Sequence, residues 1–423
     1  MENFKKLGID NDILRVIDEL GFENPTEIQA KTIPFVIEGK DVIGGSATGS
    51  GKTLAFGVGA IQKAHKGGGI QTLILAPTRE LAEQIHKDLK LYSKYKKLSL
   101  CTIYGGVSIN PQFKNLTKAD IVIGTPGRIL DHIQRGTIDL NFVNFFVLDE
   151  ADRMLDMGFL DDVRDIMNKC PKEKQTLLFS ATIDSEIKRL SSQFMNNPVK
   201  VSVEQYVDPK LLTQIYYNVR RNNKFSALVH LLKNEKPGLV MVFCNSRKYV
   251  DAVSNGLVAN GIQATAIHGG LTQQRRKEVI DKFHTKNVFI LVCTDVAARG
   301  LHIDGISHVY NYDLPNDPKQ YVHRIGRTAR AGSSGMVINL LSDNDHSYFA
   351  RIKSDNDFEI SRADLPHIQI VKDFNVQRSD TNFRTGSYGK SGAHRGNSSS
   401  NQRSFSRGQS NSRGRRPSQS NND

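Results

Sequence analysis

No tryptophan occurs among the 423 residues, and other missing features narrow the class of protein further. The four cysteines form no CxxC pair, so neither a zinc site nor a disulfide scaffold is indicated, and we expect small buried side chains in a reducing compartment. They are Cys101, Cys170, Cys244 and Cys293. No apolar run reaches the length of a membrane span, and the charged residues 1–10 contain no apolar signal-peptide segment. These absences favour a soluble, cytoplasmic protein.

Length and charge add two constraints. A chain of 423 residues exceeds one typical domain and fits two domains with an extension. Lysine and arginine outnumber the acidic residues by 57 to 44, which gives a formal net charge of +13 and a pI of about 9.4. This balance indicates a polyanionic partner such as nucleic acid, or it serves only to keep the protein in solution.

The most specific pattern is a glycine-rich stretch between an apolar run and a helical pattern. Its residues are Ser46, Ala47, Thr48, Gly49, Ser50, Gly51, Lys52 and Thr53, with serine where the strict phosphate-loop pattern begins with glycine. Glycines let backbone N–H groups converge on phosphate oxygens, and the helix N-terminus adds a partial positive charge. Lys52 can then reach the β- and γ-phosphates, and the Thr53 hydroxyl can bind Mg²⁺. The stretch predicts a nucleoside triphosphate site.

An aromatic ring and a carboxamide upstream of this loop have the chemistry to bind adenine. Phe22 offers a face for stacking on the base, and Gln29 offers a donor and an acceptor to its N6/N7 edge. A packed phenylalanine and a surface glutamine explain the same residues, and from spacing alone that interpretation is the better one.

Apolar strand-like runs alternate with helical patterns through the first half of the chain. They are apolar at nearly every position, as in parallel strands that are buried on both faces. The runs are Thr72–Leu75, Ile121–Ile123, Phe145–Leu148 and Thr176–Phe179. The alternation predicts a doubly wound α/β domain, with functional residues at the carboxyl ends of its strands.

Acidic and hydroxyl residues follow two of these runs. We expect Asp149 to hold Mg²⁺ opposite the phosphate loop, and Glu150 to orient or deprotonate the attacking water. The hydroxyls of Ser180 and Thr182 can bond to this acid cluster, although a helix cap explains them equally well.

Other strand ends and a glycine pair offer hydroxyl, backbone N–H and guanidinium groups, which are usual ligands of phosphodiesters. Ordinary turns and helix caps explain the same residues, and the pattern alone does not separate the two. The residues are Pro77, Thr78, Arg79, Gly105, Gly106, Thr125, Pro126 and Arg128.

A break at residues 204–211 leads into a second α/β series that has no Gly-Lys-Thr of its own. This series carries three arginines between His323 and Arg330, and arginines near a triphosphate stabilise charge on the transferring phosphoryl group. We therefore expect one ATP clamped between two domains, with the phosphate loop supplied by the first and the arginines by the second. The predicted bounds are 1–205 for the first domain, 206–211 for a linker, 212–370 for the second domain and 371–423 for a tail.

Serine, asparagine, glycine and arginine dominate from about residue 374, a composition typical of a disordered tail. This segment contains nine basic and two acidic residues, so it carries +7 of the net charge of +13. Arg-Gly segments with scattered aromatic residues bind single-stranded nucleic acid through charge and stacking, and we expect RNA binding by this tail. A purely solubilising tail is the alternative.

Together the motifs resemble those of the DEAD-box RNA helicases, from Phe4 to about Gly332. Asp149-Glu150-Ala151-Asp152 is the name motif, and Gly21 through Gln29 resembles the adenine-reading Q motif. The resemblance implies two tandem RecA-like domains that use ATP and Mg²⁺. It also makes Ala47 to Thr53 the family's form of the phosphate loop, so Ser46 is not a departure from the family pattern. It also implies that Arg327 and Arg330 occupy the arginine-finger positions. Further implications are coupling roles for Asp152, Ser180, Thr182 and His323, and RNA contacts at Gln273, Arg276 and Thr294.

The implied function is an ATP-dependent RNA helicase with RNA-stimulated ATPase activity. It separates short duplexes locally or remodels RNA–protein complexes, with a monomeric core and little sequence preference for its RNA. Ribosomal or mRNA–protein complexes are candidate partners. The residues alone leave two alternatives, an annealing chaperone that acts through the basic tail and a DNA translocase on the same two-domain engine.

The segment Arg299-Gly300-Leu301-His302 departs from the family pattern, which has aspartate in the place of His302. The resemblance places Gly300 and this fourth residue at the ATP ribose, where a neutral imidazole cannot act as an anion. Ala329 also replaces the usual glycine between the two finger arginines.

We expect ATP affinity to change with pH near the pKa of His302, about 6.5 for an unperturbed imidazole, because protonation adds a charge at the ribose contact. Measurement of ATP affinity across this range tests the idea. His302→Asp should alter both the affinity and its pH profile, and an unchanged profile in that variant would contradict the expectation.

Overall fold

The computed structural model describes residues 2–45, 49–203, 211–235, 237–298, 301, 303, 305–329, 334–355 and 359–371. Most of the predicted linker and the predicted tail after Val371 lie outside the described residues. So do six of the predicted site residues, which are Ser46, Ala47, Thr48, Gly300, His302 and Arg330.

The first lobe comprises the described residues from 2 to 203. Its sheet has seven parallel strands. They are β1 (Val42–Gly45), β2 (Thr72–Leu75), β3 (Leu100–Ile103), β4 (Ile121–Gly124), β5 (Phe145–Leu148), β6 (Gln175–Ser180) and β7 (Val199–Ser202). Across the sheet the order is β3-β4-β2-β5-β6-β1-β7. Every residue of β5 is buried, because helices cover both faces of the sheet.

Helices on the two faces enclose two separate apolar clusters. Alternate residues of β5 point to opposite faces, so Phe145 and Val147 join one cluster while Phe146 and Leu148 join the other. The helices are α1 (Glu2–Lys5), α2 (Asn11–Glu19), α3 (Glu27–Ile37), α4 (Lys52–Lys63), α5 (Arg79–Tyr92), α6 (Asn110–Leu116), α7 (Pro126–Gln134), α8 (Ala151–Asp156), α9 (Leu160–Lys169) and α10 (Ser185–Phe194).

The second lobe, the described residues from 211 to 371, repeats this plan with seven more parallel strands. They are β8 (Leu212–Asn218), β9 (Leu239–Phe243), β10 (Ala264–Ile267), β11 (Ile290–Cys293), β12 (Ile306–Asn311), β13 (Gly335–Leu341) and β14 (Ser361–Arg362), in the order β10-β11-β9-β12-β13-β8-β14. Its helices are α11 (Lys224–Glu235), α12 (Arg247–Ala259), α13 (Gln273–His284), α14 (Asp295–Ala298), α15 (Pro318–Ile325) and α16 (His346–Ser354).

The predicted doubly wound architecture is confirmed in both lobes, and the four cysteines are buried and unpaired as expected. The sequence missed β3, β7, β8 and β14. The first two of these have only one well-buried face, so their residues lack the continuous apolar run that marked the other strands. Among the described helices, none combines the length and apolarity needed to cross a bilayer.

Candidate nucleotide and RNA site

The part of the phosphate loop that the structure describes, residues 49–53, contains two glycines with left-handed backbones. Gly49 has a φ of 84° and Gly51 a φ of 89°, a conformation that side chains disfavour. A Cβ atom on Gly51 would also lie 2.4 Å from Nε2 of Gln29. The loop then enters α4 at Lys52, whose side chain is buried.

Gln29 clamps the start of α3 onto this loop. Its Oε1 accepts a hydrogen bond from the Thr26 N–H at 2.9 Å, and its Nε2 donates to the Gly51 carbonyl at 3.0 Å. The Thr26 hydroxyl donates to the Ser50 carbonyl at 2.8 Å. Gln29 is only 5% exposed, so the surface glutamine that spacing alone favoured is wrong. Phe22 remains 39% exposed, with its ring available to a ligand.

Two buried carboxylates follow β5 and face the phosphate-loop lysine. Asp149 Oδ1 lies 3.7 Å from Lys52 Nζ. Glu150 has a left-handed backbone, with a φ of 55°, which costs a residue with a side chain about 1–2 kcal/mol. This turn places Glu150 at the entry to α8, where its carboxylate pairs with the buried Arg153 one turn later.

Burial acts on both carboxylates, with opposite outcomes. It raises the pKa of Asp149 above the usual range, and the Lys52 ammonium offsets this only in part. Burial also favours a raised pKa for Glu150, but the positive charges of Arg153, Lys52 and Arg327 outweigh it and hold that pKa well below the usual range. Glu150 is therefore an anion at neutral pH. Because Arg327 belongs to the second lobe, its charge acts on this carboxylate across the cleft between the lobes.

One oxygen of each carboxylate has no hydrogen-bond partner among the described residues, although both are buried. They are Asp149 Oδ1 and Glu150 Oε1. Buried polar atoms without a partner are rare and call for an explanation such as a ligand. Carboxylate and hydroxyl oxygens are the donors that Mg²⁺ prefers, so the residues present fit this ion.

Asp152 ties the acid cluster to the segment after β6. Its Oδ2 accepts hydrogen bonds from the Ala181 N–H at 3.1 Å, the Thr182 N–H at 3.0 Å and the Thr182 hydroxyl at 3.3 Å. The Ser180 hydroxyl accepts from the Asp152 N–H at 3.2 Å and donates to the Thr182 carbonyl at 2.6 Å. Neither hydroxyl caps the helix that follows it in the chain, because Asp184 caps α10.

Four of the predicted phosphodiester ligands meet beside β3 and β4 in the first lobe. The Arg79 guanidinium lies against Gly106, where a Cβ atom would be 2.2 Å from its nitrogens. Gly105 lies between Arg79 and Arg128, and Arg128 Nη1 is buried without a hydrogen-bond partner among the described residues. Thr78 instead caps α5, since its hydroxyl accepts from the Leu81 N–H at 3.3 Å.

Pro126 is the first residue of α7, and Thr125 precedes it as the N-cap. Both lie at the carboxyl end of β4, in the segment that leads to Arg128. Strand β2, which leads to Arg79, is the neighbour of β4 in the sheet. Their backbone positions agree with a turn into a helix, and the Thr125 side chain makes no capping hydrogen bond there.

The first two predicted second-lobe ligands contact the first lobe directly. Arg79 Nη1 donates to Gln273 Oε1 at 3.2 Å, and Arg276 Nε donates to Glu80 Oε1 at 2.8 Å. The side chains of Arg276 and Glu80 are each 12% exposed. Sequence reasoning missed Glu80, for which the only signal was an acid beside an arginine in the first turn of a helix.

The second lobe repeats the first-lobe arrangement at its own strand ends. Ser246 caps α12 through a hydrogen bond from the Tyr249 N–H at 3.3 Å, as Thr78 caps α5. Arg247 then lies against Gly269, whose Cβ position would be 3.3 Å from Nη2. The repeated strand-hydroxyl-arginine pattern in the sequence was the signal that could have found Arg247. Thr294 follows β11 and is half-buried.

Arg327 is held in the second lobe by two backbone carbonyls. Its Nε donates to the His323 carbonyl and its Nη1 to the Leu301 carbonyl, both at 3.2 Å. The next residues turn sharply, and Ala329 has a left-handed φ of 52°. Alanine therefore carries a cost of about 1–2 kcal/mol at a position that suits glycine.

A phosphate loop and acid pair on one lobe, with an arginine from a second lobe of the same plan, define a nucleotide-driven two-lobe motor. Residues 26–190 match the DEAD/DEAH box helicase family, and residues 223–332 match the helicase conserved C-terminal domain.

The chain is similar to two bacterial RNA helicases over most of their length. The chain is 46% identical to the ATP-dependent RNA helicase CshA of Listeria monocytogenes over 351 residues, which is 82% of this chain and 68% of that protein. It is 43% identical to the DEAD-box ATP-dependent RNA helicase CshA of Geobacillus kaustophilus over 370 residues, which is 86% of this chain and 79% of that protein.

Among solved structures, S. cerevisiae Dbp5 bound to RNA and ADP BeF3 superposes with a TM-score of 0.78 at 31% identity, covering 86% of this chain and 95% of that one. The chain therefore belongs to the DEAD-box family of ATP-dependent RNA helicases. Its two lobes are RecA-like domains, and its activity is RNA unwinding coupled to ATP hydrolysis.

Proposed function

We propose that this helicase opens short RNA duplexes locally or remodels RNA–protein complexes, and that ATP is hydrolysed where its two lobes meet. The observation that carries the proposal is the joining of the lobes by the residues assigned to RNA, through Arg79 with Gln273 and Glu80 with Arg276. RNA bound along this line would touch both lobes, and so would ATP at Glu150 and Arg327. Each ligand then favours the closed arrangement that the other needs.

ATP binding is assigned to the first lobe. Phe22 stacks on the adenine, Gln29 reads its edge, and the loop from Ser46 to Thr53 binds the phosphates, with the Lys52 ammonium at the β- and γ-phosphates. Gln29 already bonds to Gly51, so base recognition and phosphate binding are mechanically linked. Thr53 and Asp149 are the residues that would hold Mg²⁺, which would neutralise phosphate charge.

Hydrolysis is assigned to Glu150 and the second-lobe arginines. The free Oε1 of Glu150 can accept a hydrogen bond from the water that attacks the γ-phosphorus, while the bond from that phosphorus to the ADP oxygen breaks. Because the pKa of Glu150 is lowered, this carboxylate serves better to orient the water than to remove its proton in the ground state. Arg327, together with Arg330, stabilises the charge on the transferring phosphoryl group.

The RNA strand is assigned to two arginine–glycine pairs, one in each lobe. Arg79 with Gly106 and Arg247 with Gly269 each offer a guanidinium beside a backbone without a side chain, which lets a phosphate approach closely. Contacts of this kind read the backbone, so they give affinity with little sequence preference. A bend in the clamped strand would then release its partner strand.

Coupling between the ATP site and the RNA site is assigned to the hydrogen bonds that Asp152 accepts from Ala181 and Thr182. Asp152 lies two residues after Glu150, so these bonds link the segment after β6 to the hydrolytic carboxylate. His323 contributes through its carbonyl, which holds Arg327. The predicted domain bounds, a basic tail that adds RNA affinity, a monomeric core and a cytoplasmic location complete the proposal. An annealing chaperone that acts mainly through the tail is not favoured.

Lys52→Ala and Glu150→Gln should each reduce RNA-stimulated ATP hydrolysis by at least about 100-fold, because they remove phosphate charge stabilisation and the group that orients the water. RNA binding in the absence of ATP should persist. Phosphate release and RNA affinity measure the two effects, with Lys31→Ala, an exposed lysine of α3, as the matched control. Normal unwinding by either site variant would refute the assignment.

Arg276→Ala should raise the RNA concentration for half-maximal ATPase activity by about tenfold, since it removes a largely buried, charge-assisted bond between the lobes. Arg275→Ala is the control, because Arg275 lies next to it on α13, is exposed, and among the described residues pairs with Glu278 of its own helix. ATPase titrations with RNA compare the two variants. Equal effects of both would show that general positive charge, and not closure, is being measured.

A further inference from the structure

The identical strand order of the two sheets pairs each element of one lobe with an element of the other. By this order β8 corresponds to β1, β12 to β5 and β13 to β6. The chain after β1 forms the phosphate loop and enters α4 at Lys52, and the chain after β8 enters α11 at Lys224. Asp149 directly follows β5, and Asp313 follows β12 by two residues.

The second lobe also keeps the contact that these residues make. Lys224 Nζ lies 3.9 Å from Asp313 Oδ1, compared with 3.7 Å between Lys52 and Asp149. Lys224 is as deeply buried as Lys52, at 5% and 6% exposure. The lysine–aspartate pair of a nucleotide site is therefore present twice in this chain.

The second pair has a carboxylate in place of a phosphate cradle. Residues 219–223 contain no glycine, and Arg221–Asn223 form a short 3-10 turn, so this segment lacks the left-handed loop of Gly49 and Gly51. Asp345, which follows β13, instead places Oδ2 3.0 Å from Lys224 Nζ. The same oxygen accepts from the Ser342 N–H at 2.8 Å and the Ser342 hydroxyl at 2.6 Å.

The carboxylates of this cluster respond differently to burial. Burial favours a raised pKa for Asp345, but the hydrogen bonds from Ser342 and the charge of Lys224 outweigh it and lower that pKa. Burial raises the pKa of Asp313, and Lys224 is the largest opposing charge. Lys224 thus favours the ionised form of both.

Hydrogen bonds connect Asp313 to the strand ends that carry the residues assigned to RNA and to ATP. Its Oδ2 accepts from the Asn245 N–H at 3.0 Å, and its carbonyl accepts from Arg324 Nη1 at 2.6 Å. Arg324 Nη2 donates to Asn245 Oδ1 at 3.0 Å and to Asp295 Oδ2 at 2.7 Å. Asn245 lies two residues before Arg247, Asp295 follows Thr294, and Arg324 lies one turn before Arg327.

We propose that Lys224 is a positioning residue that occupies the second-lobe place of a phosphate-loop lysine, with the Asp345 carboxylate standing where a phosphate would bind. Through Asp313 it fixes Asn245 and Arg324, and through them the loop of Arg247 and the helix of Arg327. The inference rests on the proposed RNA and arginine roles of these residues. It adds that the second lobe supports them with a second lysine–aspartate pair, in which the Asp345 carboxylate takes the place of a bound phosphate.

The first test separates positioning from general stability. Lys224→Met should raise the RNA concentration for half-maximal ATPase activity by about tenfold and leave the KM for ATP within about twofold. Asp345→Asn, which keeps the shape of the side chain, should shift the RNA value in the same direction by less. The control is Tyr310→Phe, which removes a partly buried hydrogen bond to Glu235 at the other end of α11. It should lower the melting temperature and leave the RNA value unchanged.

The proposal is overturned if Lys224→Met and Asp345→Asn change only the melting temperature, as Tyr310→Phe does. Arg276→Ala in the same titration distinguishes the two possible failures. A normal RNA response in Arg276→Ala would show that the proposed RNA track itself is wrong, whereas an altered response there with a normal one in Lys224→Met would refute positioning alone.

The second test asks whether Asp345 stands in for a phosphate. Asp345→Ala leaves Lys224 facing a small space, and inorganic phosphate should restore part of the lost melting temperature more than chloride at equal ionic strength. The experiment uses the double variant Asp345→Ala with Lys52→Ala, because the second change removes phosphate binding at the first-lobe loop. Lys224→Met added to this pair should abolish the recovery. Equal recovery by phosphate and chloride, or recovery that survives Lys224→Met, would contradict the assignment.

Discussion

The burial of negative charge at the carboxyl edge of the first sheet is the constraint on which the rest of the structure depends. Asp149 and Glu150 are almost completely buried, and removing a partner from a buried ion pair typically costs about 3–5 kcal/mol. Lys52 and Arg153 supply part of the positive charge from within the lobe, and Arg327 supplies more from the second lobe. The acid pair therefore reaches its full electrostatic environment only when the lobes are together.

This dependence explains why contacts far from the acid pair matter to it. The bonds between Glu80 and Arg276 and between Arg79 and Gln273 hold the lobes together on the side assigned to RNA. A ligand that strengthens them favours the same arrangement that brings Arg327 toward Glu150. The buried chain from Lys224 through Asp313 to Arg324 gives the second lobe the rigidity that such coupling requires. Binding free energy on one side can thus be used on the other.

The sequence predicted the parts whose chemistry is local. Continuous apolar runs predicted the central strands, and Gly51-Lys52-Thr53 with Asp149-Glu150 indicated the triphosphate site. Residues whose role depends on tertiary neighbours were not predictable. Gln29 looked like a surface amide because its partner, the Gly51 carbonyl, is 22 residues away. Glu80 stood out only as an acid beside an arginine, and Lys224 gave no signal, because each pairs with a residue more than 100 positions distant. Strand β8 was missed because Gln214 and Thr213 interrupt its apolar residues.

The central claim is that an arginine of the second lobe completes the acid site of the first. The most direct measurement is the single-turnover rate of ATP hydrolysis by Arg327→Ala with saturating RNA and ATP. The account predicts a fall of about 10³-fold, in the range found for arginine fingers, with ATP and RNA affinities retained within a few fold. A rate within tenfold of the unsubstituted protein would contradict it and would leave hydrolysis to the first lobe alone.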